Sequence, residues 1–408
     1  MNQLTIFDTL YPKYKITKPI RLIEMFSGYG SQALALKYLD VPFEHWKICE
    51  WAVKSIQAYK DIHFTDKHLT FNKKRTKQEI IDYLFKLGIS ANYNEPMTKE
   101  QINRLSEEQL KTILENIAIT HNLVNIQQVK GEDLEIVDID KYEYILTYSF
   151  PCQDLSLAGK GKGMSDTSTR SGMLWEVERI LTECKELGTL PQILLMENVP
   201  QVHGKGNVED FNKWQLKLEE LGYKNYWQDL IATDYGIPQT RNRCFMVSIL
   251  GNYSYSFPPK QALKLKLKNM LEDNVDEKYY LSNKMINTIT TGLSFRNNTF
   301  LAIKNATKKG YLEATKGDGV DISSRMEHHR GNVQKSKVQT LTTQCDTGVV
   351  ENDLRIRKLT PKECFRLMGV KDEDYEKVAK NQSNASLYHL AGDSIVVNVL
   401  IAIFKEML

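Results

Sequence analysis

No stretch of this chain approaches the ~20 consecutive apolar residues that a membrane-crossing helix requires. The opening residues, Met1 to Asp8, have neither the basic start nor the apolar core of a secretory signal. A soluble cytoplasmic protein with no membrane partner is therefore expected. The six cysteines (Cys49, Cys152, Cys184, Cys244, Cys345 and Cys364) include no CxxC pair. Their spacing suggests neither a zinc site nor a disulfide framework, so no metal is expected. The adjacent His328 and His329 read as polar surface. A strong charge bias is also missing, with 54 basic and 51 acidic residues. There is no internal repeat and no low-complexity segment. What is present is enough apolar sequence, 41% of 408 residues, to bury one large domain with a second lobe, or two domains.

The near-neutral total hides an uneven distribution. Ser282 to Lys337 holds ten basic and four acidic residues, a local excess of +6, while the rest of the chain is mildly acidic. A basic segment on an otherwise neutral body suits a phosphate backbone. It also fits a solvated lysine-rich surface.

Residues 20–60 read as strand, glycine turn, helix, strand, helix. Ile20 to Met25 is apolar, and Phe26-Ser27-Gly28-Tyr29-Gly30-Ser31 is turn-like. Gln32 to Leu39 has apolar residues at helical spacing, Phe43 to Glu50 forms a second strand, and Ala52 to Tyr59 a second helix. That alternation predicts an α/β fold with a doubly wound, mostly parallel sheet. Residues 65–127 interrupt it with three predicted helices, at Lys77–Leu87, from Thr98 with Gln101 at capping-box spacing, and at Glu107–His121. From Asn252 to about Arg330 the signals are weak and mixed, and a small irregular lobe is placed there. Thr360-Pro361-Lys362-Glu363 opens a helix. Gly392 to Leu408 reads as an apolar terminal helix.

Three segments carry chemistry, each beside a strand-like run. Phe150-Pro151-Cys152-Gln153 follows the apolar Tyr144 to Thr147 and leads into the small-residue stretch Ser156 to Gly163. Glu197-Asn198-Val199 follows Ile193 to Leu195. Gln239-Thr240-Arg241-Asn242-Arg243 precedes Cys244 to Ile249. A thiol, a carboxyl group and two guanidiniums suit nucleophilic attack on an electron-poor ring whose nitrogen and carbonyl must be gripped. The Phe26–Gly30 turn opens a helix, where backbone amides favour a polar ligand, but it lacks the third spaced glycine of a dinucleotide fingerprint. Glu50, about twenty residues on, is placed to accept hydrogen bonds from ribose hydroxyls.

In this order, and nearly end to end, these motifs resemble the DNA cytosine-5 methyltransferase family. Arg170 to Leu174, Leu359 to Gly369 and Gly392 to Asn398 extend the match. The resemblance implies the fold of S-adenosylmethionine-dependent methyltransferases, with S-adenosyl-L-methionine as cofactor. It places Phe26, Ser27, Gly28, Tyr29, Gly30, Glu50, Trp51, Asp133, Leu134, Pro151, Leu174 and Asn398 around that cofactor. It makes Cys152 the nucleophile that adds to C6 of a flipped-out cytosine, and puts Glu197 at N3 and Arg243 at O2. Arg241 supports the active-site loop, and Gln153, Ser156 and Gln239 touch the substrate strand. Two departures stand out: Ser149 occupies a position where glycine is frequent, and Asp393 one where asparagine is frequent.

The expected layout is a catalytic and cofactor-binding domain at 1–251, a target-recognition domain at 252–332 and a closing segment at 333–408. The expected partner is double-stranded DNA bearing a short target site. The protein would be a monomer, alone or alongside a separately acting restriction endonuclease, in a bacterial or phage-infected cell. A tRNA cytosine-5 methyltransferase, a catalytically silent DNA-binding relative and, more weakly, a nucleotide-dependent oxidoreductase are the alternatives. The tRNA branch carries Cys-Phe-Thr, whereas Cys364-Phe365 is followed here by Arg366.

Overall fold

The computed structural model describes residues 11–69, 75–151, 170–291, 300–323, 331–344 and 346–408. They form two compact units. The first comprises residues up to 230 together with 243–259 and 400–408, and the second comprises 231–242 and 260–399.

The first unit is built on six strands: β1 (Ile20–Met25), β2 (Phe43–Cys49), β3 (Glu143–Tyr148), β4 (Ile193–Asn198), β5 (Tyr223–Ile231) and β6 (Asn242–Leu250). Their order in the sheet is β2-β1-β3-β4-β6-β5. β1 pairs in parallel with β2 and β3, β3 pairs in parallel with β4, and β6 runs antiparallel to β4. The doubly wound, mostly parallel sheet is thus present. β1, β3 and β4 are buried along their whole length, as expected of strands covered on both faces. The helices are α1 (Ser31–Tyr38), α2 (Val53–His63), α3 (Lys77–Leu87), α4 (Lys99–Asn103), α5 (Glu107–Ile119), α6 (Leu174–Leu187) and α7 (Val208–Leu221). One large core joins Ile23, Leu146, Tyr148 and Met196 of the sheet to Leu174 and Leu181 of α6 and Phe211 and Trp214 of α7.

The insertion between the second strand and the third is helical, as the sequence predicts. Thr76, Thr98 and Ser106 each cap a helix with a full capping box closed by Glu79, Gln101 and Gln109, which satisfies otherwise orphaned amides at both ends of the motif. These helices bury their own cluster, including Ile80, Leu84, Leu110 and Leu114, with Ile56 of α2.

The second unit contains α8 (Asn283–Ile289), the hairpin β7 (Leu301–Lys304) and β8 (Tyr311–Ala314), and β9 (Gly319–Asp321), β10 (Val333–Gln334), β11 (Thr347–Val350) and β12 (Ile356–Lys358). The last four make a sheet ordered β10-β9-β11-β12. Helices α9 (Pro361–Leu367), α10 (Asp372–Ala379) and α11 (Asn384–Asp393) follow, and α12 (Val397–Lys405) begins here and ends in the first unit. Glu363 completes the predicted cap with Thr360. It also forms a two-pronged pair with the fully buried Arg357, at 2.8 Å to each terminal guanidinium nitrogen.

The predicted terminal helix, Gly392–Leu408, is present as α12 but starts only at Val397, because Gly392 and Asp393 end α11. Asn384–Lys405 is apolar enough in composition to cross a membrane, but it breaks at Ser394–Val396 and 72% of its most apolar stretch is buried within the protein. The break has a visible cause. The carbonyls of Gly392 and Ser394, which a continuing helix would use internally, accept from the Arg241 guanidinium at 3.1 and 2.8 Å. Gly392 also approaches the backbone of Thr342 so closely that a Cβ would lie 2.0 Å from the Thr342 oxygen.

Candidate active site

The turn after β1 is shaped by three positive-φ residues in five, Phe26, Gly28 and Gly30. For Phe26 such a backbone costs on the order of 1–3 kcal/mol, a strain found mostly at functional sites. The Phe26 amide is fixed to the Cys49 carbonyl at 2.8 Å, which ties the turn to the end of β2. Gly30 is required sterically, because a Cβ there would sit 2.5 Å from His63 Nε2 and 2.6 Å from Tyr59 Cε2. Glu50 lies beside the turn. Its Oε2 accepts from the Gly28 amide (3.0 Å) and its Oε1 from the Ala52 amide (2.8 Å). The Glu50 backbone is clamped by Asn122, whose Oδ1 accepts from the Glu50 amide and whose Nδ2 donates to the Glu50 carbonyl. Asn122 follows α5, the last helix of the insertion, and no motif marks it in the sequence.

These residues fit an adenosine-bearing cofactor. A carboxylate oxygen that accepts one amide keeps capacity for a hydroxyl donor. Among the described residues the buried Ser27 hydroxyl has no partner and a Cβ at Gly28 would meet nothing within 4 Å, which gives the turn an open face among them. Of the other expected cofactor residues, Trp51 is half-buried against the insertion cluster. Tyr29 is buried, and its carbonyl accepts from His63 Nε2 at 3.0 Å. Asp133 caps its own turn through the Lys130 amide (2.8 Å). Leu134 and Leu174 are fully buried, and the Leu134 carbonyl accepts from the Trp46 indole (2.8 Å).

Behind the turn sits Glu24, a residue without a motif to announce it. It is fully buried at the floor of α1, where its Oε1 accepts from the Ala33 amide (3.3 Å) and its Oε2 from the Tyr59 hydroxyl (2.6 Å). Burial pushes its carboxyl up to about 7, against the lowering effect of those hydrogen bonds. His45 Nδ1 lies 2.9 Å from the same hydroxyl, and burial pulls that imidazole down to about 4, so it is neutral at pH 7.

The second half of the site forms where β3 and β4 end side by side, Tyr148 paired with Met196. Glu197, buried at 7% side-chain exposure, is held from two sides: Arg243 Nε lies 3.1 Å from its Oε1, and the Ser149 hydroxyl donates to its Oε2. Antiparallel pairing sets Glu197 opposite Phe245, which puts Arg243 diagonally across on the same face. Asn198 faces the other way. Its Nδ2 donates to the Phe150 carbonyl (2.9 Å), and its Oδ1 accepts from the Val199 amide (2.8 Å). The strand ends thus fix the chain as far as the half-buried Pro151. Cys152, Gln153 and Ser156 lie outside the described residues. Ser149, noted above only as a departure from the family pattern, gains a definite partner here.

Three expected site residues lie in the second unit. Gln239 is fully buried, its Nε2 donating to the Leu367 carbonyl (2.8 Å) and its Oε1 accepting from the Leu341 amide (3.1 Å). Arg241, also buried, spends its terminal nitrogens on the carbonyls of Leu341, Gly392 and Ser394. Asn398 is half-buried against Gly369, where a Cβ would fall 2.4 Å from its Oδ1.

A mostly parallel sheet that delivers a glycine turn, with an acid after the second strand bonded to it, suits an S-adenosylmethionine-dependent methyltransferase. A model of the C-5 cytosine-specific DNA methylase family matches residues 85–408. The type II methyltransferase M2.ScrFI of Lactococcus lactis subsp. cremoris is 35% identical over 95% of this chain and 99% of its own length. The orphan methyltransferase M.SssI of Spiroplasma monobiae is 31% identical over 96% and 98%. The chain therefore belongs to the C-5 cytosine-specific DNA methylase family and is a DNA (cytosine-5)-methyltransferase that uses S-adenosyl-L-methionine. The solved Dnmt2 methyltransferase of S. pombe shares the fold, with a TM-score of 0.57 at 16% identity over 94% of this chain and 97% of that one.

Proposed function

We propose that Cys152 is the nucleophile of this methyltransferase and that Glu197 and Arg243 grip the target cytosine. The reading rests on one observation: Glu197, Arg243 and Ser149 converge at the ends of β3 and β4, where the Cys152 loop begins. A base stacked in a duplex is out of reach, so the cytosine is extruded. The Cys152 thiolate adds to C6, and the ring's electrons shift so that C5 becomes nucleophilic. Glu197 meets N3 as charge develops there, and Arg243 donates to O2. The bound cofactor supplies an electrophilic methyl group to C5. Loss of the C5 proton and expulsion of the sulfur then release the product. Phe26 to Gly30, Glu50, Trp51, Asp133, Leu134, Pro151, Leu174 and Asn398 hold the cofactor. Gln153 and Ser156 contact the substrate strand, while Gln239 and Arg241 act as positioning residues through the carbonyls they bind.

Residues 252–332 serve as the target-recognition region, their basic excess meeting phosphates while a few side chains read base edges in a short duplex site. The protein works in the cytoplasm as a monomer, away from membranes, either beside a restriction endonuclease or as an orphan enzyme. Bisulfite sequencing of a host expressing the chain tests the activity and names the site. One cytosine context should be protected with the wild type and unprotected with Cys152→Ser. Protection that persists in Cys152→Ser contradicts the assignment.

A further inference from the structure

We propose a binding site for a thiophilic divalent cation, of which zinc is the natural choice, at His203, Asp229 and Cys244. Nothing in the methyltransfer chemistry uses these side chains. They come from the turn after β4, from β5 and from β6, 26 and 15 residues apart in sequence, which is why no ligand spacing shows in the chain. In space one ligand atom from each lies within 4.8 Å of the other two. His203 Nε2 is already 2.9 Å from Asp229 Oδ1.

The donor set and its setting both suit such an ion. One sulfur, one imidazole nitrogen and one carboxylate oxygen are zinc ligands, with bonds of about 2.0–2.3 Å and a tetrahedral preference. Tetrahedral ligands then sit roughly 3.5 Å apart, so the present spread needs a contraction of about 1 Å. A thiolate with an imidazole selects against magnesium and calcium, which favour oxygen. The thiol forms the floor, fully buried, while His203 and Asp229 form a rim with 24% and 32% of their side chains exposed. That leaves an entry path and a fourth position for water. Trp227 packs against the imidazole, ring centres 4.7 Å apart, and Phe211 packs edge-on to Trp227. A divalent cation would compensate the Asp229 carboxylate, which sits beside a buried sulfur and aromatic rings. A divalent ion with Asp229 and the Cys244 thiolate makes a neutral cluster, the thiol proton leaving to solvent.

The site is distinct from the catalytic one. Cys244 pairs with Asn198, so strand alternation puts its side chain on the sheet face opposite Glu197 and Arg243. A bound ion would tie together β5, β6 and the turn after β4.

Cobalt(II) is the direct probe, titrated into the chelator-treated full-length protein. The proposal expects one equivalent bound with a near-ultraviolet thiolate-to-cobalt band. That band should be retained in Cys152→Ser, which excludes the nucleophile, and lost in Cys244→Ser. Zinc should displace the cobalt, and it should raise the thermal midpoint of the wild type but not of Cys244→Ser. His203→Gln, at a partly exposed rim position, should fold like the wild type and weaken zinc binding at least about tenfold, and it decides the matter if Cys244→Ser does not fold. Absence of the band in the wild type, or a band and zinc affinity unchanged in His203→Gln, overturns the proposal.

Discussion

The pair between Glu197 and Arg243 gives the sharpest test of how the site is held. At 7% and 17% side-chain exposure both charges are largely out of water, 3.1 Å apart. Breaking a buried pair from one side costs about 3–5 kcal/mol, because the charge left behind is uncompensated. The Ser149 hydroxyl still satisfies one oxygen of Glu197, so Arg243→Gln should fall at the lower end, about 3 kcal/mol. Glu197→Gln keeps the shape and loses a charge-assisted bond, about 1.5–3 kcal/mol. The double variant leaves two neutral amides that can bond to each other, and it should cost about as much as Arg243→Gln alone. The coupling is then about 2 kcal/mol. Urea melts of the four proteins at pH 7, read at a common slope, measure it directly and need no activity. Costs that add within about 0.5 kcal/mol would refute the claim that these two side chains form one buried unit.

Other consequences can be measured separately. Asn198→Ala strips partners from the Phe150 carbonyl and the Val199 amide, so it should lose about 2–4 kcal/mol of stability, while Asn198→Asp should retain the Val199 bond. Gly30→Ala forces a side chain onto a backbone at φ +82° and against His63 and Tyr59, and calorimetry should find S-adenosylmethionine binding weakened at least about tenfold. Glu24 should make stability depend on pH. Its carboxyl sits near 7 in the fold and near 4.5 when unfolded, so the folded state keeps a proton that the unfolded chain gives up. The contribution is complete below about pH 4.5 and is lost as pH rises through 7, about 3 kcal/mol in all. In Glu24→Gln that slope should vanish, and an unchanged difference between pH 5 and pH 8 would contradict the burial assigned to Glu24.

Much of the first unit was legible because its signals are local. Ile20–Met25 with its glycine turn, the capped helices of the insertion, and the strands β3 and β4 each carry their own pattern. Ser149, Asn122 and Glu24 were not legible, since each acts on a residue brought near by the sheet rather than by sequence. The second unit was harder for a different reason. β9 to β12 run only two to four residues, too short for a period of two to register. Their core, including Ile303, Val320 and Ile356, is assembled from distant segments. The break before α12 was invisible because its cause, Arg241, lies some 150 residues upstream.

The sulfur of Cys152 is open to direct covalent capture. Duplex DNA carrying 5-fluorocytosine at the site found by bisulfite sequencing, offered with S-adenosylmethionine, blocks loss of the C5 substituent. The account predicts a covalent protein–DNA complex that survives denaturation, with mass spectrometry placing the link at Cys152. A wild-type protein that methylates this site yet is never trapped, or a trap that persists in Cys152→Ser, would contradict it.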